Sequence, residues 1–231
     1  LLFQRGEALL NDAHDVFAQN SDGLNERLGK TGTIIYLPNC DRLTYRTAKA
    51  LADHAVKDMG RIYRKFIESG LRLYVNNRRV ECFDPTYWMP ISRHTKVEGL
   101  SETKSSLVDS WTVGLPITEG SKKTTPVRIR LFMLPVQAWA SLPRVTLKNG
   151  LLVYENHTVS YMRNGREVEI GAEPRLKINK HHTNAWFRVE IEFNGDADEA
   201  FGVAANKQGV RLQQFAADVI LEHDEGRFHR N

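Results

Sequence analysis

The stretch from Leu43 to Ser69 constrains the fold most, because its apolar residues keep the period of an α-helix throughout. Charged residues fill the remaining positions. This pattern predicts one long amphipathic helix whose apolar face packs against another layer of the protein. Gly70 follows as the natural stop, since glycine readily adopts the left-handed conformation that ends many helices. The apolar positions are Ala48, Leu51, Ala52, Ala55, Met59, Ile62, Tyr63, Phe66 and Ile67.

Turn residues predict two β-hairpins in the rest of the chain. Asn76-Asn77 separate the runs "LRLYV" and "RRVECF", and Asn164-Gly165 lie within the segment from Gly150 to Gly171. Asparagine and glycine tolerate the positive φ angles that two-residue hairpin turns require. Two further runs, Val108 to Leu115 and Pro126 to Pro135, have the composition of strands.

The segment from Ala185 to Phe193 alternates apolar and charged residues without interruption. Such alternation predicts a strand with a buried face and a solvent-exposed face, the exposed one carrying Arg188, Glu190 and Glu192. The closing segment, residues 211–228, places its apolar residues on one helical stripe. This order of elements predicts an α+β protein with helices packed on one face of a mainly antiparallel sheet.

Composition narrows the class of protein. With 41% hydrophobic and 26% charged residues, the chain has the composition of a globular protein. No apolar run approaches the roughly 20 residues that a membrane-spanning helix needs, so we expect no membrane contact and a cytoplasmic location. Cys40 and Cys82 lie in neither a disulfide nor a metal-binding spacing, which predicts two free thiols. The net charge of +4 is spread among acids, so it does not by itself indicate nucleic-acid binding.

Two short motifs are candidates for ligand binding. In "AANKQGV", Ala204 to Val210, small residues surround Lys207 and Gln208, so the backbone there could approach a phosphate and the lysine could neutralise it. Gly32-Thr33 opens a predicted strand and could place a hydroxyl and backbone amides at the floor of a site. From the residues alone, an exposed loop lysine and an ordinary turn remain alternative interpretations.

Other polar residues favour structural roles. His181 and His182 are adjacent, so their side chains point in different directions on regular structure, and we expect no zinc site there. His54 is expected to be a half-exposed residue of the long helix. The acids in turn-like stretches are expected to be caps or solvated loop residues; they are Asp84, Asp196, Asp198 and Glu199.

Three stretches together resemble the GHKL superfamily of ATPases, which includes gyrase B, heat-shock chaperones, MutL and MORC proteins. "GKTGTIIYLP" resembles the last strand of their Bergerat-fold nucleotide domain. The long helix, the hairpin "LRLYVNNRRVECFDP", and "RNGREVEIG" with "RVEIEF" are similar to the second domain of bacterial MORC-like members, a ribosomal S5-like transducer. The resemblance covers nearly all of the chain from Gly29 onward.

The resemblance implies the organisation and the ligands of the protein. Residues 1–41 would be the C-terminal part of the nucleotide domain, and residues 42–231 the S5-like transducer. ATP and Mg²⁺ are the implied cofactors, with Gly32 and Thr33 at the nucleotide pocket. Lys207, with Gln208 beside it, would contact the terminal phosphate, so that hydrolysis changes the angle between domains. Arg61, Arg163 and Arg166 are weaker candidates for phosphate or inter-domain contacts.

Several motifs of that superfamily are missing from this sequence: the water-activating glutamate, a magnesium-binding asparagine, the DxGxG aspartate and the glycine-rich lid. ATP turnover would therefore need those motifs from elsewhere in the protein or from a partner chain. The expected partners are a second copy in a homodimer, or another chain that completes the ATPase, and DNA. Two alternatives remain open. One is a non-enzymatic nucleic-acid-binding module that uses the sheet face with Lys122-Lys123 and the segment from Lys177 to His182. The other is a protein-interaction domain without either activity.

Overall fold

The computed structural model describes residues 43–96, 100, 103–154, 159–179, 185–204, 209–225 and 228. Within them the protein is α+β, with a five-stranded mixed sheet, a separate two-stranded hairpin and several helices. The segment predicted to end a nucleotide domain, residues 1–41, lies outside the described residues. No described helix is long and apolar enough to cross a bilayer.

The long predicted helix is present but divided into two. Helix α1 spans Ala48–Ile62 and α2 spans Arg64–Glu68. The Thr47 hydroxyl caps α1 by accepting the Ala50 amide at 3.1 Å, and Gly70 follows α2 with a φ of 103°, as predicted. Two shorter helices, α3 and α4, span Val136–Trp139 and Gln214–Glu222.

Seven strands account for the two sheets. Strands β1 and β2 form the small hairpin, whose turn residues Asn76 and Asn77 both have positive φ, as predicted. The large sheet has the order β3-β4-β7-β5-β6, in which β7 and β5 are parallel and all other neighbours antiparallel. The strands are β1 (Tyr74–Val75), β2 (Arg78–Arg79), β3 (Ser106–Pro116), β4 (Thr124–Met133), β5 (Val159–Arg163), β6 (Arg166–Gly171) and β7 (Phe187–Phe193).

The apolar face of the large sheet packs against α4. Val189, Ile191 and Phe193 of β7 belong to one buried cluster with Ala216 and Ile220 of α4. Residues from β3, β4 and β5 complete the cluster, and Phe201 stacks on Phe193 with the ring centroids 3.9 Å apart. This side of the sheet is a conventional hydrophobic core.

The opposite, polar face of β7 is buried at Arg188 and Glu190, which corrects the prediction that this face is solvent-exposed, while Glu192 is partly exposed. The same face is exposed at Thr112 and Arg128 of the neighbouring strands. Arg188 is 1% exposed and Glu190 is 2% exposed. Since α2 reaches Glu190 from this side while α4 packs on the other, the prediction that the helices share one face is also wrong. Helices therefore contact both faces: α4 covers the apolar face, and α2 covers the part of the polar face around Ser160 and Glu190.

A glycine lets α1 approach the chain that follows the small hairpin. A Cβ on Gly60 would lie 2.3 Å from the Glu81 carbonyl oxygen, so no larger residue fits without displacement. The Gly60 carbonyl accepts the Phe83 amide at 3.0 Å. This contact fixes α1 against the segment that carries Asp84 toward the polar face of the sheet.

Candidate functional site

The polar face of the sheet is organised around Arg64, a fully buried residue at the start of α2. Its Nη1 donates to Glu167 Oε2 at 2.6 Å, and its Nη2 donates to Ser160 Oγ at 2.7 Å and Glu190 Oε2 at 2.9 Å. Its Nε lies 3.6 Å from Asp84 Oδ1. One guanidinium therefore joins three strands of the large sheet and the Asp84 loop to α2.

Further ion pairs extend this arrangement into a connected layer. Arg61 pairs with Glu167 and Arg130 with Glu190, while Lys65 Nζ lies 3.0 Å from Glu190 Oε1 and 2.9 Å from Glu192 Oε1. We call the set the ionic layer; it comprises Arg61, Arg64, Lys65, Asp84, Arg130, Glu167, Glu190 and Glu192.

Glu190 stays ionised within this layer. Burial alone would raise the pKa of its carboxyl, but the positive charges of Arg64, Lys65 and Arg130 outweigh burial and lower the pKa to about 2. A carboxylate with so low a pKa is a poor proton acceptor near neutral pH, where an efficient general base needs a pKa close to the working pH. The ionic layer therefore holds elements together rather than transferring protons.

Asp84 organises the loop that closes one side of the layer. Its carboxylate accepts hydrogen bonds from the backbone amides of Thr86 at 3.0 Å, Trp88 at 2.9 Å and Met89 at 2.9 Å, and from the Thr86 hydroxyl. Asp84, expected to be a cap or a solvated loop acid, is instead a buried acid that binds the amides of a turn. The loop is thus held against the sheet by the same charge that faces Arg64.

Arg188 fixes a second point on the polar face. It is fully buried, and its guanidinium donates to the backbone carbonyls of Pro85 at 2.9 Å, Ala185 at 2.8 Å and Val153 at 2.9 Å. Burial lowers its pKa to about 10. These contacts tie the Asp84 loop and the segment before β5 to β7.

A cleft of about 360 Å³ opens beside the ionic layer, between α2, the Asp84 loop and the sheet. Its lining includes Lys65, Arg130 and Glu192 together with Trp88 and Phe132, whose ring centroids lie 5.9 Å apart. Lys65 pairs with Glu192, and Arg130 pairs with Glu190. Among the described residues no group of three or more His, Cys, Asp or Glu side chains could hold a metal ion.

Lys207, Gln208, Gly32 and Thr33, the residues predicted to contact nucleotide, all lie outside the described residues, and so do His181 and His182. The chain on either side of residues 205–208 is described, however. Gly209 donates its amide to the Val168 carbonyl at 3.2 Å, and the Val210 amide donates to the Glu169 carboxylate. The outgoing arm of the loop is therefore hydrogen-bonded to the edge strand β6.

The base of this loop is closed by backbone hydrogen bonds. The Arg211 amide donates to the Phe201 carbonyl and the Gln213 amide to the Ala200 carbonyl, both at 2.8 Å. Gly202 has a φ of 52°, and a Cβ there would lie 2.4 Å from the Arg211 carbonyl oxygen. We call residues 200–204 with 209–213 the neck; its two strands of chain are fixed to each other.

The weaker arginine candidates are engaged within the chain. Arg163 forms a two-point ion pair with Asp198, at 2.6 Å and 2.9 Å, and this hydrogen bonding raises its pKa. Arg61 belongs to the ionic layer, where burial lowers its pKa. Arg166 begins β6 opposite Arg163. Asp198, expected to be a cap or a solvated acid, is instead the ion-pair partner of Arg163.

Sequence inspection missed Arg64 as the centre of the polar face. A signal was available: Arg64 lies four residues after Gly60 and three before Ile67, and all three are buried on one side of the helix pair.

Two further predictions concern Cys82 and His54. Cys82 is a buried free thiol as predicted, with a pKa raised to about 12 chiefly by burial. His54, expected to be a half-exposed residue of the long helix, is exposed on α1 and stacks on Tyr45 with ring centroids 4.0 Å apart.

Comparisons with family models, with curated proteins and with solved structures gave no match to this chain.

Proposed function

We propose that this chain is the transducer portion of a GHKL-type ATPase, which couples ATP binding and hydrolysis to movement and to work on a partner such as DNA. In this proposal residues 1–41 end a Bergerat-type nucleotide domain and residues 42–231 form an S5-like transducer. The motifs that bind ATP and Mg²⁺ are supplied by the rest of the protein or by a partner chain. Lys207 is the residue that contacts the terminal phosphate.

The observation that carries this proposal is the neck, the described chain on either side of residues 205–208. Its hydrogen bonds join Phe201 to Arg211 at 2.8 Å and Gly209 to Val168 at 3.2 Å, so both ends of the loop start from fixed positions. A side chain presented from a fixed base loses less conformational freedom on binding than one on a free segment. This is what a loop needs in order to bring one lysine to a phosphate.

The chemistry of a lysine suits a phosphate sensor. Its ammonium group is a compact charge with three donors, and the γ-phosphate it would contact leaves after hydrolysis. A ligand shifts a conformational equilibrium only when its affinity differs between the two states. The loss of the γ-phosphate supplies that difference, because Lys207 would have an anionic partner before hydrolysis and none afterwards.

Substitution of Lys207 tests the proposal in the full-length protein that contains this chain, with any partner needed for turnover. Lys207→Ala should lower the rate of ATP hydrolysis about a hundredfold, the loss typical for one preorganised contact to developing charge, while the unfolding midpoint stays unchanged. Lys177→Ala, at an exposed lysine, is the control and should retain full activity. An unchanged ATPase rate for Lys207→Ala would remove the proposed role.

The polar face of the sheet offers little support for the alternative, a nucleic-acid-binding module. Its described cations Arg64, Lys65 and Arg130 pair with carboxylates, so this face offers little net positive charge to a phosphate backbone. Lys122 and Lys123 are exposed in the turn between β3 and β4. Affinity for a DNA duplex that falls steeply with rising salt, and that Lys122→Ala with Lys123→Ala abolishes, would favour the alternative.

A further inference from the structure

A bulge in β6 sends two neighbouring glutamates to opposite faces of the sheet. Residues two apart on a regular strand point to the same face. In β6, however, the pairing shifts so that Met162 is opposite Glu167 while Tyr161 is opposite Glu169, which leaves Val168 as the extra residue of a bulge. Since directly opposite residues share a face, Glu167 and Glu169 lie on different faces.

Glu167 connects β6 to the helix pair. Its Oε2 accepts from Arg64 Nη1 at 2.6 Å and from Ser160 Oγ at 2.7 Å, and its Oε1 pairs with Arg61. Arg61 lies in the last turn of α1 and Arg64 at the start of α2. Glu167 is 1% exposed, so these charge-assisted contacts are shielded from water and are stronger than surface pairs.

Glu169 connects β6 to the neck. Its carboxylate accepts the amide of Val210, and the neighbouring Val168 carbonyl accepts the amide of Gly209 at 3.2 Å. A Cβ built on Gly209 would lie 3.7 Å from Glu169 Oε2, and Gly209 has a φ of 88°. The direction in which the chain leaves residues 205–208 is therefore fixed by two consecutive residues of β6.

We propose that β6 is the link between the neck and the α1–α2 pair, with Glu169 as the positioning residue toward the neck and Glu167 as the positioning residue toward the helix pair. This inference rests on the proposed function, because it concerns how the phosphate state at Lys207 reaches the rest of the chain. A displacement of the arm at Gly209 and Val210 moves Val168 and Glu169. The same short strand then carries the movement to Glu167 and, through Arg61 and Arg64, to the end of α1.

The bulge is the physical reason that so short a link suffices. If residues 167–169 kept regular strand geometry, both carboxylates would face the same side, and they could not contact the neck and the helix pair from opposite faces. With the bulge, the three residues from Glu167 to Glu169 contact both the helix pair and the neck. Neither glutamate contacts substrate in this account: Glu169 orients the arm, and Glu167 passes its position to α1.

Hydrogen exchange of the α1 amides, Ala48–Ile62, tests the inference in the full-length protein. Exchange is measured by mass spectrometry with and without a non-hydrolysable ATP analogue. In the wild type the analogue should change α1 exchange. Glu169→Ala should reduce this change about threefold, within the range of coupling energies that residues along such a path show, and Glu169→Gln, which keeps an acceptor for the Val210 amide, should restore most of it. Glu199→Ala, at an exposed carboxylate before the loop, should match the wild type.

The outcomes separate this inference from the proposed function. If Lys207→Ala lowers ATP hydrolysis but Glu169→Ala leaves the α1 response intact, the β6 link is overturned and the phosphate sensor stands. If Lys207→Ala leaves ATP hydrolysis unchanged, the proposed function is overturned, whatever effect Glu169→Ala has on α1 exchange. A wild-type α1 that does not respond to the analogue also overturns the link. Thermal unfolding of each variant shows that the comparison is made between folded proteins.

Discussion

The two faces of the five-stranded sheet are both covered by helices along β7 but are held by different forces. On the apolar face, Ile191 packs among side chains of α4 and the neighbouring strands. On the polar face, its neighbour Glu190 is bound by Arg64, Lys65 and Arg130. Apolar packing is spread over many weak contacts, whereas the ionic layer depends on each charge having its partner. The comparison teaches that burial alone does not predict how a position responds to substitution.

The two faces also contribute differently to the stability of the sheet and to the position of the α1–α2 pair. Replacing a complete buried ion pair with apolar residues of similar volume is often neutral, but removing one partner is strongly destabilising. Charges that must meet fixed partners select one arrangement of α1 and α2 over others in which an apolar helix could slide. The ionic layer therefore defines where the helix pair sits, and the apolar face supplies much of the burial that stabilises the sheet.

The largest effect is expected from Arg64→Ala. This change leaves Glu167, Glu190 and Asp84 buried with fewer positive partners, and breaking a buried pair on one side typically costs about 3–5 kcal/mol. The free energy of unfolding, measured by urea denaturation, should fall by that amount. A loss below about 1 kcal/mol would mean that water or a rearranged cation replaces the guanidinium, and the ionic layer would lose its central residue.

Acid should weaken the polar face before the apolar face. The folded-state pKa of Glu190, about 2, lies below the ordinary value of 4.5, so Glu190 contributes its full stability above about pH 4.5 and loses it as the pH falls toward 2. The unfolding free energy should decline through this window. Glu190→Gln removes the titrating group and should flatten the decline; an equally steep decline in this variant would assign the acid sensitivity to other carboxylates.

Ile191→Val provides the matching change on the apolar face, one residue along the same strand. Deleting one buried methylene group should cost about 1 kcal/mol. Because no charge is involved, this loss should be the same at pH 7 and at about pH 3. A loss that grows on acidification would show that the two faces are energetically coupled rather than independent.

The smallest effect is expected where charges pair at the surface. Arg78 and Asp53 form an ion pair in which both side chains are about half exposed, at 57% and 47%. Exposed pairs contribute little because water already solvates both charges, so Arg78→Ala should change the unfolding free energy by about 0.5 kcal/mol or less. Comparison of Arg78→Ala with Arg64→Ala under identical conditions isolates the contribution of burial.

Much of the fold could be predicted from local sequence. The Asn76-Asn77 and Asn164-Gly165 turns, the helices before Gly70 and the strand β7 are encoded by neighbouring residues, and the structure confirms each. The division between α1 and α2 at Tyr63 was not apparent, because both halves keep the same period.

The ionic layer could not be predicted in the same way. Arg64 is 103 residues from Glu167 and 126 residues from Glu190 in the chain, and nothing in a local pattern states that distant charges will meet. Alternation in "RVEIEF" predicts exposure because charged residues are mostly found at the surface. It places the charges on one face correctly, but it contains no information about the helix pair that packs on Glu190 from that side. The predicted roles of Lys207, Gln208, Gly32 and Thr33 stay predictions.

The most direct measurement is chemical labelling of the full-length protein with an acyl-phosphate derivative of ATP, which transfers its acyl group to a lysine close to the terminal phosphate. Peptide mass spectrometry should find the label on Lys207, and an excess of unmodified ATP should prevent it. Labelling of another lysine in the same assembly, with Lys207 unmodified, would contradict the claim that this side chain senses the phosphate.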